Sequence, residues 1–282
     1  MPTVGGIWRA IERGIQLQCE SIQIFVKNNL QWFGKPYQPA DLAKYAEQLA
    51  TENAPYVFGH AGYLINLGAP PSDNREKSIR SLIQEIELAA SLGIPFLVMH
   101  PGAHLKQGES KGLQQIINGL KTVLEATKPL PVKIALENTA GQGTCLGYQL
   151  EHLDTIIQAV NFPDRLGICI DTAHLFAAGY DIVQSKGWNQ VMDRIDQLFG
   201  FSQLLALHLN DSKSALNSRV DRHAGIGTGL IHLKTFRQII NDERLKNKPG
   251  CLETPKSPDL HEDRENLALL NSLRTKKRLA KS

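Results

Sequence analysis

The sequence predicts an α/β protein, a TIM (β/α)8-type barrel with its first strand missing or truncated at the N-terminus. Three observations predict it. Short apolar runs recur roughly every 30–45 residues, the size of a βα unit. The segments between them carry helical periodicity. The runs are near-continuous rather than alternating, which implies a parallel sheet covered by helices. In order, the strands are SIQIFVKN (21–28), PYVFGH (55–60), PFLVMH (95–100), KIALEN (133–138), LGICID (166–171), LLALHLND (204–211) and GCLET (250–254). Between them, SIRSLIQEIELAASLG (78–93) places Ile79, Leu82, Ile83, Ile86 and Leu88 mostly on one face and stops at Gly93. The stretch GLQQIINGLKTVLEAT (112–127) repeats the pattern. Seven strands are visible where an eightfold barrel needs eight. The deficit is at the start, where MPTVGG leads straight into a helical stretch, IWRAIERGIQLQC.

No Pro/Gly/Ser linker or shift in composition divides the chain, so residues 1–282 read as a single domain. The basic end RTKKRLAKS (274–282) reads as a frayed, solvated tail. An apolar share of 42% supports a sizeable core. No apolar run approaches the ~20 residues that span a bilayer, and no basic-then-apolar leader is visible. The four cysteines, Cys19, Cys145, Cys169 and Cys251, are scattered without a CxxC pair. That pattern points to reduced thiols in a cytoplasmic protein. A net charge of +3 permits a polyanionic partner without demanding one.

Almost every strand closes on a side chain able to bind a metal: His60, His100, Glu137, Asp171, His208 and Glu253. In a parallel barrel those ends share one face, where active sites sit. His174 follows just beyond, as do Asp221 and His223 in the loop VDRHAG, two apart and on one side of an extended loop. Each alone has an ordinary explanation, such as a helix cap or a hydrogen-bonded structural histidine. Together they do not, because five of the nine histidines sit at or just after a strand end. The other four, His104, His152, His232 and His261, lie on loops or helices and read as ordinary. Imidazole with carboxylate and no thiolate suits Zn²⁺ in a catalytic site, or Mn²⁺ and Fe²⁺. Nine candidates exceed one ion's needs and fit a bridged cluster of up to three.

The segments HAGYLINLGAP, MHPGAH, LENTAGQGT, CIDTAHLFAAGYD, HLNDSK, SRVDRH and CLETP, in this order from about Gly5 to Pro255, resemble the endonuclease IV family. These are zinc-dependent apurinic/apyrimidinic (AP) endonucleases of DNA repair. The resemblance implies a TIM barrel with three zinc ions, acting on duplex DNA. It implies hydrolysis of the phosphodiester 5′ to an abasic site, leaving a 3′-hydroxyl. By motif, His60, His100 and Glu137 would hold one zinc. Glu137 would bridge to a second, completed by Asp171, His208 and Glu253. His174, Asp221 and His223 would hold the third. Glu137 and Asp171 are the expected catalytic centre. Tyr63 and Leu64 match the residues that enter the helix at the lesion. Leu30, in KNNLQW, stands where the family has an arginine, so a cationic contact is replaced by an apolar wedge. Lys27 and Lys213 are expected phosphate contacts.

Two further departures bear on the expectation. Gly227-Thr228-Gly229 replaces the family's Gly-Glu-Gly, which removes a carboxylate near the third metal. Family members also begin with a strand ending in Gly-Ala-His before the loop matched by MPTVGG, so a start set too far downstream is expected here. Polar outer helix faces and an open rim suggest a monomer with no obligate protein partner. One rival is a single-metal sugar isomerase or epimerase of the same barrel superfamily, using Glu137, Asp171, His208 and Glu253. It leaves His60, His100, His174, Asp221 and His223 unused, and metal stoichiometry discriminates it. The other is a protein that binds damaged DNA without cutting it; binding that survives chelation without nicking would mark it.

Overall fold

The computed structural model describes residues 1–275. Helix α1 (Arg9–Gln16) precedes β1 (Ser21–Phe25). Four βα units continue with α2 (Pro39–Leu49), β2 (Tyr56–His60), α3 (Asp73–Ser91), β3 (Phe96–Met99), α4 (Glu109–Ala126), β4 (Lys133–Glu137) and α5 (Leu150–Val160). Then come β5 (Leu166–Asp171), α6 (Thr172–Ala178), α7 (Ser185–Phe199) and β6 (Leu204–His208). A small antiparallel pair, β7 (Asp211–Ser212) with β8 (His223–Ala224), stands apart from the main sheet. The chain closes with α8 (Leu233–Ile240), β9 (Gly250–Cys251) and α9 (His261–Leu273). The main sheet is parallel in the order β1-β2-β3-β4-β5-β6-β9, a barrel of seven strands.

Each predicted strand is present. Only β5 keeps its full predicted range; the others are shorter, most at the carboxyl end, so that β1 stops at Phe25, β6 at His208, His100 lies one residue past β3, and GCLET pairs only at Gly250–Cys251. Helix α3 starts at Asp73, earlier than the apolar periodicity indicates, because its first turn is polar. Ser72 marks the start, its side chain accepting from the Arg75 amide, with Asp73 and Glu76 in the first turn facing the positive end of the helix dipole.

The strands divide their side chains between two cores by the period-two rule. Ile22, Ile24, Leu97, Ile134, Leu136, Ile168 and Ile170 point outward beneath the helices. Phe58, Phe96, Val98, Ala135, Cys169, Ala206 and Cys251 fill the barrel interior. Phe58 and Phe96 stack there with centroids 4.9 Å apart. The residue two positions after an interior residue again points inward, but at the rim. That places His60 after Phe58, His100 after Val98, Glu137 after Ala135, Asp171 after Cys169, His208 after Ala206 and Glu253 after Cys251. Apolar filling ends and the site begins at one layer.

Among the described residues no strand lies between β1 and β9. Side chains bridge that seam instead. Ser21 Oγ donates to the Gly250 carbonyl at 2.8 Å, and Gln23 Nε2 donates to Glu253 Oε1 at 2.7 Å. The Met1 amine donates to the free Gln23 carbonyl. The seam leaves a cavity of about 320 Å³ lined by Met1, Ile22, Ile24, Cys251 and Leu267, among others. The basic tail lies outside the described residues from 276 on. Arg274, at its start, is anchored rather than frayed, donating to both oxygens of Glu20 at 2.6 and 2.7 Å. All four cysteines are free, with Cys169 and Cys251 buried. No helix among the described residues is long and apolar enough to cross a membrane.

Phe58 is fully buried against Phe96. Phe58→Ala is expected to cost about 3–5 kcal/mol of stability, read as a lower denaturant midpoint at unchanged slope.

Candidate metal centre

Three groups of donors converge at the rim, each with ligand atoms within 4.8 Å of one another: His60, His100 and Glu137; Glu137, Asp171, His208 and Glu253; and Asp171, His174 and His223. Asp221 closes the third group, with Oδ2 3.2 Å from His174 Nε2 and Oδ1 3.2 Å from His223 Nε2. All nine residues singled out in the sequence are therefore brought together. Glu137 links two groups by its two oxygens. Oε2 lies 3.3 Å from His60 Nε2 and 3.2 Å from His100 Nε2, while Oε1 lies 2.8 Å from His208 Nδ1. Asp171 belongs to two groups as well.

Asp171 serves a strand, a helix and the site at once. It ends β5 and caps α6, with Oδ1 accepting from the His174 amide at 2.8 Å. That cap places His174 in the first turn of α6, facing Asp221. Asn210 Nδ2 donates to the other oxygen, Oδ2, and Asn210 Oδ1 accepts from the Glu253 amide at 2.7 Å. Asn138 Oδ1 accepts from the Asp171 amide at 2.7 Å. Two asparagines thus hold the ends of β5 and β9 in register with the ligands.

The second nitrogen of four histidines has a defined partner. His60 Nδ1 donates to the Ala61 carbonyl at 2.7 Å, His174 Nδ1 to the Asn138 carbonyl at 2.9 Å, and His223 Nδ1 to the Glu253 carbonyl at 3.1 Å. A carbonyl only accepts, so these three turn an Nε2 lone pair to the cluster. His208 is reversed. Its Nε2 donates to Gln23 Oε1 at 2.7 Å, leaving Nδ1 for the cluster. Gln23 also holds Glu253, so one amide orients two ligands.

The electrostatics call for positive charge. Burial alone would raise the Glu137 carboxyl, but His208, His100 and His174 hold it well below the usual carboxylate range. Burial opposes a charge on His174 and on His223. Against it, Asp171, Asp221 and Glu137 raise His174 well above its ordinary value, and Asp171 and Asp221 push His223 up to about 9. His223 Nε2 is buried without a hydrogen-bond partner. Imidazole nitrogens and carboxylates crowded into one buried site form a donor set that a divalent metal bound by nitrogen and oxygen fits.

The expected DNA contacts divide. Tyr63 is 62% exposed on the loop after β2, its ring edge-on to Phe25 at 5.2 Å. Leu64 is half-buried beside it, Leu30 is 70% exposed, and Lys213 is exposed. Lys27 corrects the expectation of a free phosphate contact. Its side chain is only 4% exposed, and its Nζ lies 2.9 Å from Glu85 Oε1. Gly227, Thr228 and Gly229 form a turn around Asp211, whose Oδ2 accepts from the amides of Gly227 and Gly229 at 3.0 Å each. Reading strand ends alone misses Gln23, Asn138, Asn210 and Glu85. Gln23 carries a signal, since it is the polar member of Ile22-Gln23-Ile24 on the parity that faces inward.

A parallel barrel with metal-capable residues at its carboxyl rim defines a class of enzymes. The family model described as Xylose isomerase-like TIM barrel matches residues 12–274. A probable endonuclease 4 from Chloroflexus aurantiacus is 45% identical over 274 residues, covering 97% of this chain and 96% of that one. Endonuclease IV from Thermus thermophilus superposes with a TM-score of 0.84 at 31% identity, covering 95% of this chain and 94% of that one. The chain belongs to the endonuclease 4 family, nucleases built on the xylose isomerase-like barrel. A D-tagatose 3-epimerase-like protein superposes at a TM-score of 0.67 with 21% identity, over 90% of each chain, and shares the fold alone.

Because Gln23 holds the outer nitrogen of His208 and also Glu253, Gln23→Leu is expected to weaken metal binding about 10–100-fold. Competition with a chromophoric chelator checks this, with circular dichroism showing that the fold is kept.

Proposed function

We propose that this chain is a DNA-repair endonuclease that hydrolyses the phosphodiester 5′ to an abasic site in duplex DNA. The products are a 3′-hydroxyl and a 5′-deoxyribose phosphate, and the cofactor is zinc, three ions per chain. The whole chain acts as one catalytic domain, as a monomer in the cytoplasm. The observation that carries this reading is the set of three donor groups joined through Glu137 and Asp171 at the open barrel rim. A one-metal isomerase needs the group of Glu137, Asp171, His208 and Glu253, and gives no role to the other two groups.

His60, His100 and Glu137 would hold one ion, Glu137 with Asp171, His208 and Glu253 a second, and His174, Asp221 and His223 a third. Bound there, divalent ions lower the pKa of water and neutralise the charge that develops on a phosphate undergoing displacement. The chain contributes the geometry. Glu137 and Asp171 set the spacing of the groups, and the carbonyls of Ala61, Asn138 and Glu253 with the Gln23 amide keep the imidazoles turned inward. Tyr63, Leu64 and Leu30 project beside the rim and supply apolar wedges to the gap left by a missing base. Lys213, exposed after β7, would contact the phosphate backbone.

The test is nicking of a duplex oligonucleotide carrying one tetrahydrofuran abasic analogue, before and after chelation and with zinc restored. That analogue cannot undergo β-elimination, so a 3′-hydroxyl end requires hydrolysis. Glu137→Ala or Asp171→Ala is expected to lower nicking by at least about 100-fold. Near-wild-type nicking by either variant rejects the reading.

A further inference from the structure

Lys27 and Glu85 form an ion pair that the metal centre does not use. It is almost wholly out of water, with the two side chains 4% and 1% exposed. Burying two charges is costly, and an apolar pair of the same size stabilises a core at least as well. An apolar pair cannot, however, hydrogen-bond a backbone. Lys27 Nζ donates to the Gln31 carbonyl at 2.6 Å. Glu85 accepts from the Gly62 amide with both oxygens, at 3.0 and 3.2 Å. The pair therefore ties two loops to α3 and to each other, one after β1 and one after β2.

The same face of α3 holds the first loop twice more. Ser81 Oγ donates to the Trp32 carbonyl at 2.6 Å, and Gln84 Oε1 accepts from the Gly34 amide at 2.8 Å. Positions 81, 84 and 85 lie on one face of a helix. Packing at the junction is tight: a Cβ added at Gly62 would stand 3.1 Å from both Lys27 Nζ and Glu85 Oε1. The first loop carries the exposed Leu30, and the second carries the exposed Tyr63, its ring 6.2 Å from that of His60, and the half-buried Leu64.

We propose that the Lys27–Glu85 pair is a clamp that fixes the two lesion-reading loops relative to each other, so that Leu30, Tyr63 and Leu64 enter DNA as one pre-set wedge. This rests on the reading of the site as an abasic-DNA nuclease. Lys27 and Glu85 are positioning residues and touch no substrate. A pre-set wedge avoids the ordering cost that mobile loops incur on binding. Loosening the clamp therefore weakens recognition of the lesion and leaves hydrolysis at saturating substrate intact.

The test uses the zinc-loaded full chain and the double variant Lys27→Met/Glu85→Met, which replaces the pair with apolar side chains and leaves no unpaired charge. Glu85→Gln is the milder companion. Hydrogen exchange read without DNA is expected to speed up about tenfold or more at the amides of residues 28–34 and 62–64 in the double variant, with metal content and melting temperature held. The dissociation constant for the tetrahydrofuran duplex is expected to rise about tenfold and that for undamaged duplex to stay put, with kcat within about twofold. Wild-type exchange in these loops overturns the clamp. Faster exchange with unchanged affinity for the lesion overturns its role in recognition. If the wild-type chain shows no preference for the abasic duplex, the nuclease reading fails, and the exchange data still decide the clamp by themselves.

Discussion

Glu137 carries a negative charge at the mouth of the barrel with none of its surface in water, and the surrounding structure is arranged to tolerate that charge. Its two oxygens face three imidazoles from β2, β6 and the end of β3, and a fourth, His174, lies 3.3 Å from Oε1. The carboxylates of the site favour positive charge on the imidazoles: burial opposes it, but the neighbouring acids raise His174, His208 and His223 above their ordinary values. A divalent ion held by these residues would compete with protons for the imidazoles, so its binding would depend on pH. The carboxylate also explains why the rim is built from so many strands. One strand end supplies one ligand, and only a sheet curled into a barrel turns that many ends toward a single point.

Orientation of the ligands depends on groups that never face the cluster. Backbone carbonyls fix three histidines at no cost in side chains. His208 lacks such a carbonyl and takes Gln23 from β1 instead, across the seam where the sheet is unpaired. The residue that bridges β1 to Glu253 is therefore the one that selects which nitrogen of His208 faces the cluster. Barrel closure and site assembly meet in one amide. A similar economy holds at Asp171, where helix capping and participation in the cluster use different oxygens of one carboxylate.

The loops around the rim follow another logic. They are anchored from outside the barrel by the polar face of α3, with a buried ion pair where an apolar contact would serve packing alone. The turn at Gly227–Gly229 is likewise held by the buried carboxylate of Asp211.

The period-two alternation of side chains and the 3.6-residue helical period are local properties of the chain, so the seven strand cores, helices such as α3 and α4, and the nine rim residues were legible from the sequence. Strand ends of a parallel barrel share a face by topology, so their convergence follows from the strand pattern alone. Helix α3 began earlier than its apolar pattern because a polar first turn has no periodicity to read. What tertiary structure alone decided were pairings between distant segments. Lys27 looked like a surface lysine until α3 placed Glu85 against it, and Gln23 was one polar residue in a strand until β6 and β9 brought His208 and Glu253 to it. Sequence reports which side of a strand a residue faces, because that depends on its neighbours; it does not report what stands opposite, because that depends on how the sheet closes.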